Sequence, residues 1–217
     1  MYYTKNSVIE QKDGTYALVL HIPCGVITPE ELRNIASVTE KYKAQAIKIS
    51  SAMRLVLVGI QKEDIDAVWN ELAPTSGSAT GPYVRSIRSC PGNNFCKIGK
   101  QNSLNVGLEI DSKYHGTELP GKFKVAVSGC KLDCAEAAVR DFGLIGDTNG
   151  FRLLVGGNIG ATPRFADEIA ANIKEEDVLD VLEKILSYYR ENANKGERFG
   201  KMIVRLGLDT VKAGLGF

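Results

Sequence analysis

Four of the five cysteines in this chain of 217 residues fall in one stretch, as Cys90 and Cys96 and then, after a 33-residue gap, Cys130 and Cys134. Thiolate is a soft ligand, and four converging thiolates suit zinc or an iron–sulfur cluster. Zinc knuckles use tighter C-x2-C pairs, which this chain lacks. Buried thiols that merely fill a core rarely come as two tight groups. Disulfides need an oxidising compartment, and nothing in the sequence suggests export. Spacing alone therefore leaves zinc and a cluster both open. Cys90 heads Pro91-Gly92-Asn93-Asn94, a turn whose free backbone is expected to wrap a bound group and donate N–H bonds to its sulfurs. Asn93 and Asn94 are candidate contacts for that reason. On a helix, Cys130 and Cys134 would share one face. Cys24 follows a proline, has no partner pattern and reads as structural.

The flanking residues narrow the choice. GPYVRSIRSCPGNNFC at 81–96, LPGKFKVAVSGCKLDCAEAAVRDFGLIG at 119–146 and LLVGGNIGATPR at 153–164 resemble the catalytic domain of the sirohaem nitrite and sulfite reductases. The resemblance covers about residues 80–206, and more weakly 14–72. It implies that Cys90, Cys96, Cys130 and Cys134 bind a [4Fe–4S] cluster, and that Cys134 also ligates the sirohaem iron. Leu119-Pro120-Gly121-Lys122-Phe123-Lys124 is similar to a family segment whose two lysines face substrate, a role that passes to Lys122 and Lys124. Their spacing of two points both the same way on a strand. Arg85 resembles a family arginine just before the first cysteine; Arg88 is the alternative, or a partner for a sirohaem carboxylate. Gly156, Gly157 and the residues to Arg164 resemble the family's glycine-rich turn before a helix, where glycine permits close approach to a bulky ligand. One position departs from the pattern. Ala52 stands where the half-domain of the larger enzymes has a substrate-contacting arginine, so Arg54, two residues on, is the candidate replacement.

The rest of the chain supplies the frame. Thr15–Ile22 reads as a strand, Thr28-Pro29-Glu30-Glu31 as a capping box opening a helix to about Tyr42, Ala46–Ser50 and Leu55–Ile60 as strands, and Lys62–Leu72 as a second helix. This β-α-β-β-α order predicts a ferredoxin-like half-domain over residues 1–73. A small-residue linker spans 74–81, and a catalytic domain spans 82–217. In the second domain, strands are expected near Tyr83–Arg88, Lys122–Ser128 and Leu153–Val155. Helices are expected near Lys97–Lys113, Glu175–Ala193 and Arg198–Leu206. The fold class is thus α+β, a half-domain followed by an α/β domain for sirohaem and the cluster.

A net charge of +1 implies no general attraction to nucleic acid or membrane, and no apolar run approaches a spanning length. The N-terminus lacks the apolar core of a signal peptide, so a cytoplasmic setting is expected. The expected activity is reduction of sulfite to sulfide with electrons from an external, ferredoxin-like or similar donor protein. The alternatives are a nitrite reductase of the same family and an iron–sulfur electron-transfer or redox-sensing protein without sirohaem. The larger family enzymes carry two copies of this unit and the present chain shows one. Three arrangements follow: a homo-oligomer whose second copy replaces the duplicate, a monomer, or a half-domain covered by another protein.

Overall fold

The computed structural model describes residues 7–72, 77 and 80–217. The chain divides into two compact units, residues 1–80 and 81–217. Most of the expected linker lies outside the described residues.

The first unit is a four-stranded antiparallel sheet in the order β1 (Val8–Glu10), β2 (Tyr16–Val19), β4 (Leu55–Ile60), β3 (Ala46–Ile49). Helices α1 (Pro29–Lys41) and α2 (Ile65–Glu71) complete it. The capping box forms as its residues dictate. The Thr28 hydroxyl accepts from the Glu31 N–H at 3.2 Å, and the Glu31 carboxylate accepts from the Thr28 N–H at 2.8 Å. Leu18, Leu20, Ile35, Leu57, Ile60 and Trp69 form the buried core. The short strand β1 was not expected, since three residues are too few to show a period.

The second unit is built on a five-stranded sheet in sequence order: β5 (Val84–Ser89), β6 (Phe123–Ser128), β7 (Phe142–Asp147), β8 (Gly150–Val155), β9 (Asp167–Ile173). The first three strands are parallel and the last two antiparallel. Between β5 and β6 lie a one-turn helix α3 (Gly92–Phe95) and α4 (Ser103–Tyr114); after β9 come α5 (Val178–Asn192), α6 (Phe199–Leu206) and α7 (Leu208–Leu215). Phe123, Tyr189 and Phe199 pack with ring centroids 5.3–5.7 Å apart, fixing α5 and α6 to the start of β6.

Several expectations need correcting. The helix anticipated from Lys97 begins only at Ser103, because the Lys100 and Gln101 N–H groups donate to the Gly129 carbonyl at 2.8 and 3.0 Å. The glycine-rich turn leads into strand β9, not a helix. Strands β7 and β9 and helix α7 were not anticipated. β7 is buried along five of its six residues, so its FGLIGD sequence shows no alternation. β9 buries only Ile169 of its seven residues, as an edge strand can.

Candidate functional site

Strands β5 and β6 run parallel with Ser89 opposite Val127, so both release the chain at the same end of the sheet. Cys90 follows β5 and Cys130 lies two residues beyond β6. The sheet thus closes the 33-residue gap between the two cysteine turns. What lets the turns meet is glycine. A Cβ on Gly129 would lie 2.8 Å from the Gly92 Cα, and one on Gly146 would lie 2.4 Å from the Gly129 carbonyl oxygen. One on Gly92, whose φ is +62°, would lie 2.7 Å from the Ser103 backbone nitrogen. Backbone therefore touches backbone along a seam running through both turns.

The hydrogen bonds differ from the sequence expectation. The Cys90 sulfur accepts from the Gly129 N–H at 3.1 Å, so the N–H donor comes from the opposite turn. The Asn93 N–H instead donates to the Gln101 carbonyl at 3.1 Å, and the Asn94 amide donates to Asn105 at 3.2 Å. Both asparagines are spent on the protein itself. Cys130 and Cys134 lie in successive turns rather than on a helix. Asp133 between them has φ +50°, and its carboxylate accepts from the Ser128 hydroxyl at 2.7 Å and the Ala137 and Ala138 N–H groups at 2.7 and 3.0 Å. That braces the second turn. Cys90, Cys96 and Cys130 are half-buried and Cys134 is exposed, while Cys24 is buried in the other unit.

Among the described residues, no three His, Cys, Asp or Glu side chains close round a point as one metal ion requires. Four thiolates on one tetrahedral zinc would stand about 3.8 Å apart, given Zn–S bonds near 2.3 Å. A cluster places each thiolate on a different iron and asks for a wider spread. Soft donors on two opposed turns, with an N–H already aimed at one sulfur, are a donor set that suits an iron–sulfur cluster.

A strip of basic groups leads away from the cysteines. Glu136, two residues past Cys134, accepts from Arg88 at 2.7 Å and from Arg140 at 2.5 Å. Arg140 adjoins Asp141, which is fully buried, accepts from the Lys124 N–H at 2.9 Å and pairs with Arg198. Arg85 sits opposite Lys124 in the strand register. Burial, then Arg140, Arg198 and Arg85, push the Lys124 ammonium down to about 8, against the opposing pull of Asp141. Burial raises the Asp141 carboxyl while Arg198 holds it down. Among the described residues, the buried Nε–H groups of Arg85, Arg140 and Arg198 have no acceptor. Buried donors left this way are costly.

Arg198 also reaches a cavity of about 490 Å³, lined with Lys122, Arg164, Lys201, Arg205 and the turn from Asn158 to Thr162. The loop carrying Arg198 is pinned beside the start of β6, since the Gly196 N–H donates to the Pro120 carbonyl at 2.8 Å and the Tyr189 hydroxyl donates to Glu197. Five basic side chains line this cavity; Arg164, Arg198 and Arg205 are paired with Asp167, Asp141 and Glu197, which leaves Lys122 and Lys201 to suit a ligand with carboxylates.

The sequence candidates distribute unevenly over this geometry. Arg85 and Lys124 share the buried cluster, whereas Lys122 is exposed on the cavity wall. Arg88 is occupied by Glu136. Arg164 pairs with Asp167 and donates to the Gly156 carbonyl at 3.0 Å, clamping the turn. Gly156 and Gly157 are closely approached by the protein's own atoms, a side chain at Gly156 and backbone at Gly157. A Cβ on Gly156 would lie 2.6 Å from Ile203, and one on Gly157 2.7 Å from the Arg140 nitrogen. In the first unit Arg54 is buried directly before β4, and Ser50 and Arg54 close the β3–β4 hairpin, the Ser50 N–H donating to the Arg54 carbonyl at 2.9 Å. Arg140, Asp141, Arg198 and Lys201 were missed. The one available signal was an Arg-Asp pair directly before a continuous apolar run, which needs a buried partner for its charges.

Residues 80–216 match the family model described as nitrite and sulphite reductase 4Fe-4S domain, and residues 9–75 match the nitrite/sulfite reductase ferredoxin-like half domain. The chain belongs to the nitrite and sulfite reductase family. Its relatives in this family of oxidoreductases include an assimilatory-type sulfite reductase of Nitratidesulfovibrio vulgaris, 36% identical over 208 residues that span 96% of this chain and 95% of that protein. The NAD(P)H nitrite reductase of Bacillus subtilis is 39% identical over 203 residues, but they span 94% of this chain and only 25% of that protein. A crystal structure of dissimilatory sulfite reductase I shares the fold, with a TM-score of 0.84 at 15% identity over 93% of this chain and 69% of that one. Among the described residues no helix is long and apolar enough to cross a membrane.

Two outcomes test this reductase-family site. Gly146→Ala drives a Cβ into the Gly129 carbonyl, so urea unfolding should show a loss of about 1–3 kcal/mol, and reconstituted iron per chain should fall with it. Unchanged stability and iron would mean the seam has slack. Competitive acetylation of the lysines, read by mass spectrometry against pH, should show Lys124 half-deprotonated near 8, below the ordinary 10.5. A midpoint at the ordinary value would remove the crowding of cations around it.

Proposed function

We propose that this chain reduces sulfite to sulfide on a sirohaem coupled to a [4Fe–4S] cluster, with electrons delivered by an external carrier protein. The observation that carries the proposal is the basic strip joining the cysteine turns to a cavity of about 490 Å³ with five basic side chains on its wall. A relative matched over 95% of its own length and called a sulfite reductase supports that substrate, whereas the nitrite reductase is matched over a quarter of its length. Cys90, Cys96, Cys130 and Cys134 are the cluster ligands in this reading, with Cys134 shared with the sirohaem iron. When bound, the two groups supply electron storage and an iron on which the anion is reduced.

The chain's own residues do the rest. Lys122 and Lys201 on the cavity wall would meet the macrocycle's carboxylates. The guanidinium groups of Arg85, Arg140 and Arg198 beside Lys124 would offer fixed positive charge to an oxyanion, without reorganisation as charge moves. Sulfite takes up six electrons and eight protons to leave as hydrogen sulfide and three waters, so proton supply matters as much as binding. The Lys124 Nζ, held near 8, can hold a proton at neutral pH and still release it readily. Arg54 is the first unit's candidate anion contact. A reducing, cytoplasmic setting would keep the thiolates available.

Steady-state rates on sulfite and nitrite with reduced methyl viologen, on protein whose visible spectrum has been recorded, test the reading. Sirohaem bands and a higher kcat/KM for sulfite are expected. A higher value for nitrite would reassign the substrate, and a brown protein without sirohaem bands would leave an electron-transfer or sensing role. Cys134→Ser should lose the coupled centre, while Cys24→Ser should keep its iron. The rate should fall as pH rises through about 8, as Lys124 loses its proton. Lys124→Met should cost roughly two orders of magnitude with the spectrum intact, and Lys124→Arg should abolish that limb of the pH profile.

A further inference from the structure

A second concavity, of about 660 Å³, shares no lining residue with the cavity of about 490 Å³. Cys130 is on its wall, with Lys97, Lys100, Lys131, Ile98 and Leu132. Lys97 follows Cys96, Lys131 follows Cys130, and the Lys100 N–H is tied to the Gly129 carbonyl at 2.8 Å. The three lysines are therefore fixed to the turns themselves. None of their ammonium groups has an ion pair or hydrogen bond among the described residues, although eight ion pairs occur elsewhere in them. Arg152 on the same wall is neutralised by Glu168, and Asp147, its one acidic residue, caps the Thr148 N–H at 2.7 Å. The balance of free charge is positive.

Apolar side chains stand between these cations. Ile98 is 54% exposed and Leu132 60%, and Phe95, one residue before Cys96, is 79% exposed. An isolated apolar side chain at a surface needs no explanation, but Ile98 and Leu132 on one concavity with three unpaired like charges, and Phe95 close by in sequence, combine the apolar and charged groups of a docking patch. Like charges repel one another in the free protein and gain on meeting the opposite sign.

We propose that this patch is where a small acidic electron-carrier protein lands, with the Cys130 turn as the point of entry. The proposal rests on the assignment of Cys130 as a cluster ligand. In each encounter the carrier loses one electron and this protein gains it, with no atom transferred. The carrier's carboxylates face Lys97, Lys100 and Lys131, which steer it and set its orientation, while Ile98, Leu132 and Phe95 exclude water beneath it. A carrier must dock and leave repeatedly in each turnover, so attraction at long range with a small apolar centre suits the task better than a large dry interface.

The test uses cofactor-loaded protein and a small acidic two-[4Fe–4S] ferredoxin as the probe. Binding is measured by calorimetry at low and moderate salt, and reduction by pre-reduced ferredoxin is followed in a stopped-flow instrument. The triple variant Lys97→Glu/Lys100→Glu/Lys131→Glu should weaken binding and slow reduction by about tenfold or more, and should flatten the salt dependence. Its rate with methyl viologen, its iron content and its circular dichroism should match the parent. Leu132→Ser/Ile98→Ser should weaken binding while leaving the salt slope as it was. Parent protein that fails to bind the ferredoxin, or a triple variant that binds it unchanged, overturns the proposal. If the parent binds ferredoxin in this manner but reduces neither anion with viologen, the docking surface stands and the sulfite reductase reading falls.

Discussion

The contact on which the site depends is the approach of Gly92 and Gly129. Four thiolates are useful to a polynuclear centre only if two distant turns face each other, and here they meet at backbone distance because neither glycine carries a side chain. Gly146 extends the same contact into β7, so the second cysteine turn is held between the first turn and the sheet. The parallel register of β5 and β6 supplies the direction and the glycines supply the closeness. Ligand sites at the carboxyl ends of parallel strands are a general result of that topology, because successive loops converge there.

Asp141 has the corresponding part in the electrostatics. A group of arginines and a lysine in a half-buried space repel one another, and one fully buried carboxylate offsets that repulsion through Arg198 and the Lys124 N–H. Glu136 does the same nearer the cysteines, dividing its oxygen between Arg88 and Arg140. The compensation is incomplete. Three buried Nε–H groups stay without acceptors among the described residues, and Lys124 sits well below the ordinary lysine value. An incompletely neutralised set of fixed cations is what an anion-binding enzyme needs and what a merely structural ion-pair network avoids.

Legibility in the sequence followed the range of the interaction concerned. The Thr28 capping box is a local pattern and formed as read, and the helix expected near Glu175–Ala193 formed as α5, burying Val178, Leu182, Ile185 and Leu186. The cysteine spacing and its flanks were specific enough to point to the family. Arg198 was not legible, because its contact with Asp141 spans 57 residues and exists only through the packing of α6 on β6. The close packing of Gly156 and Gly157 against the chain itself was not legible for a related reason: a glycine records that something comes close, but not whether that is a ligand or the protein's own atoms. The same limit hid the source of the N–H bond to Cys90, which crosses from one turn to the other.

The crowding around Lys124 has a thermodynamic consequence. Its proton is held weakly because cations surround it, so a negative charge arriving beside it strengthens that hold and moves its midpoint back upward. Near and above that midpoint, anion binding and proton uptake are one linked event. The pocket would then gain part of the positive charge that holds its ligand only as the ligand enters, and release of a neutral product would return it to the weakly protonated state.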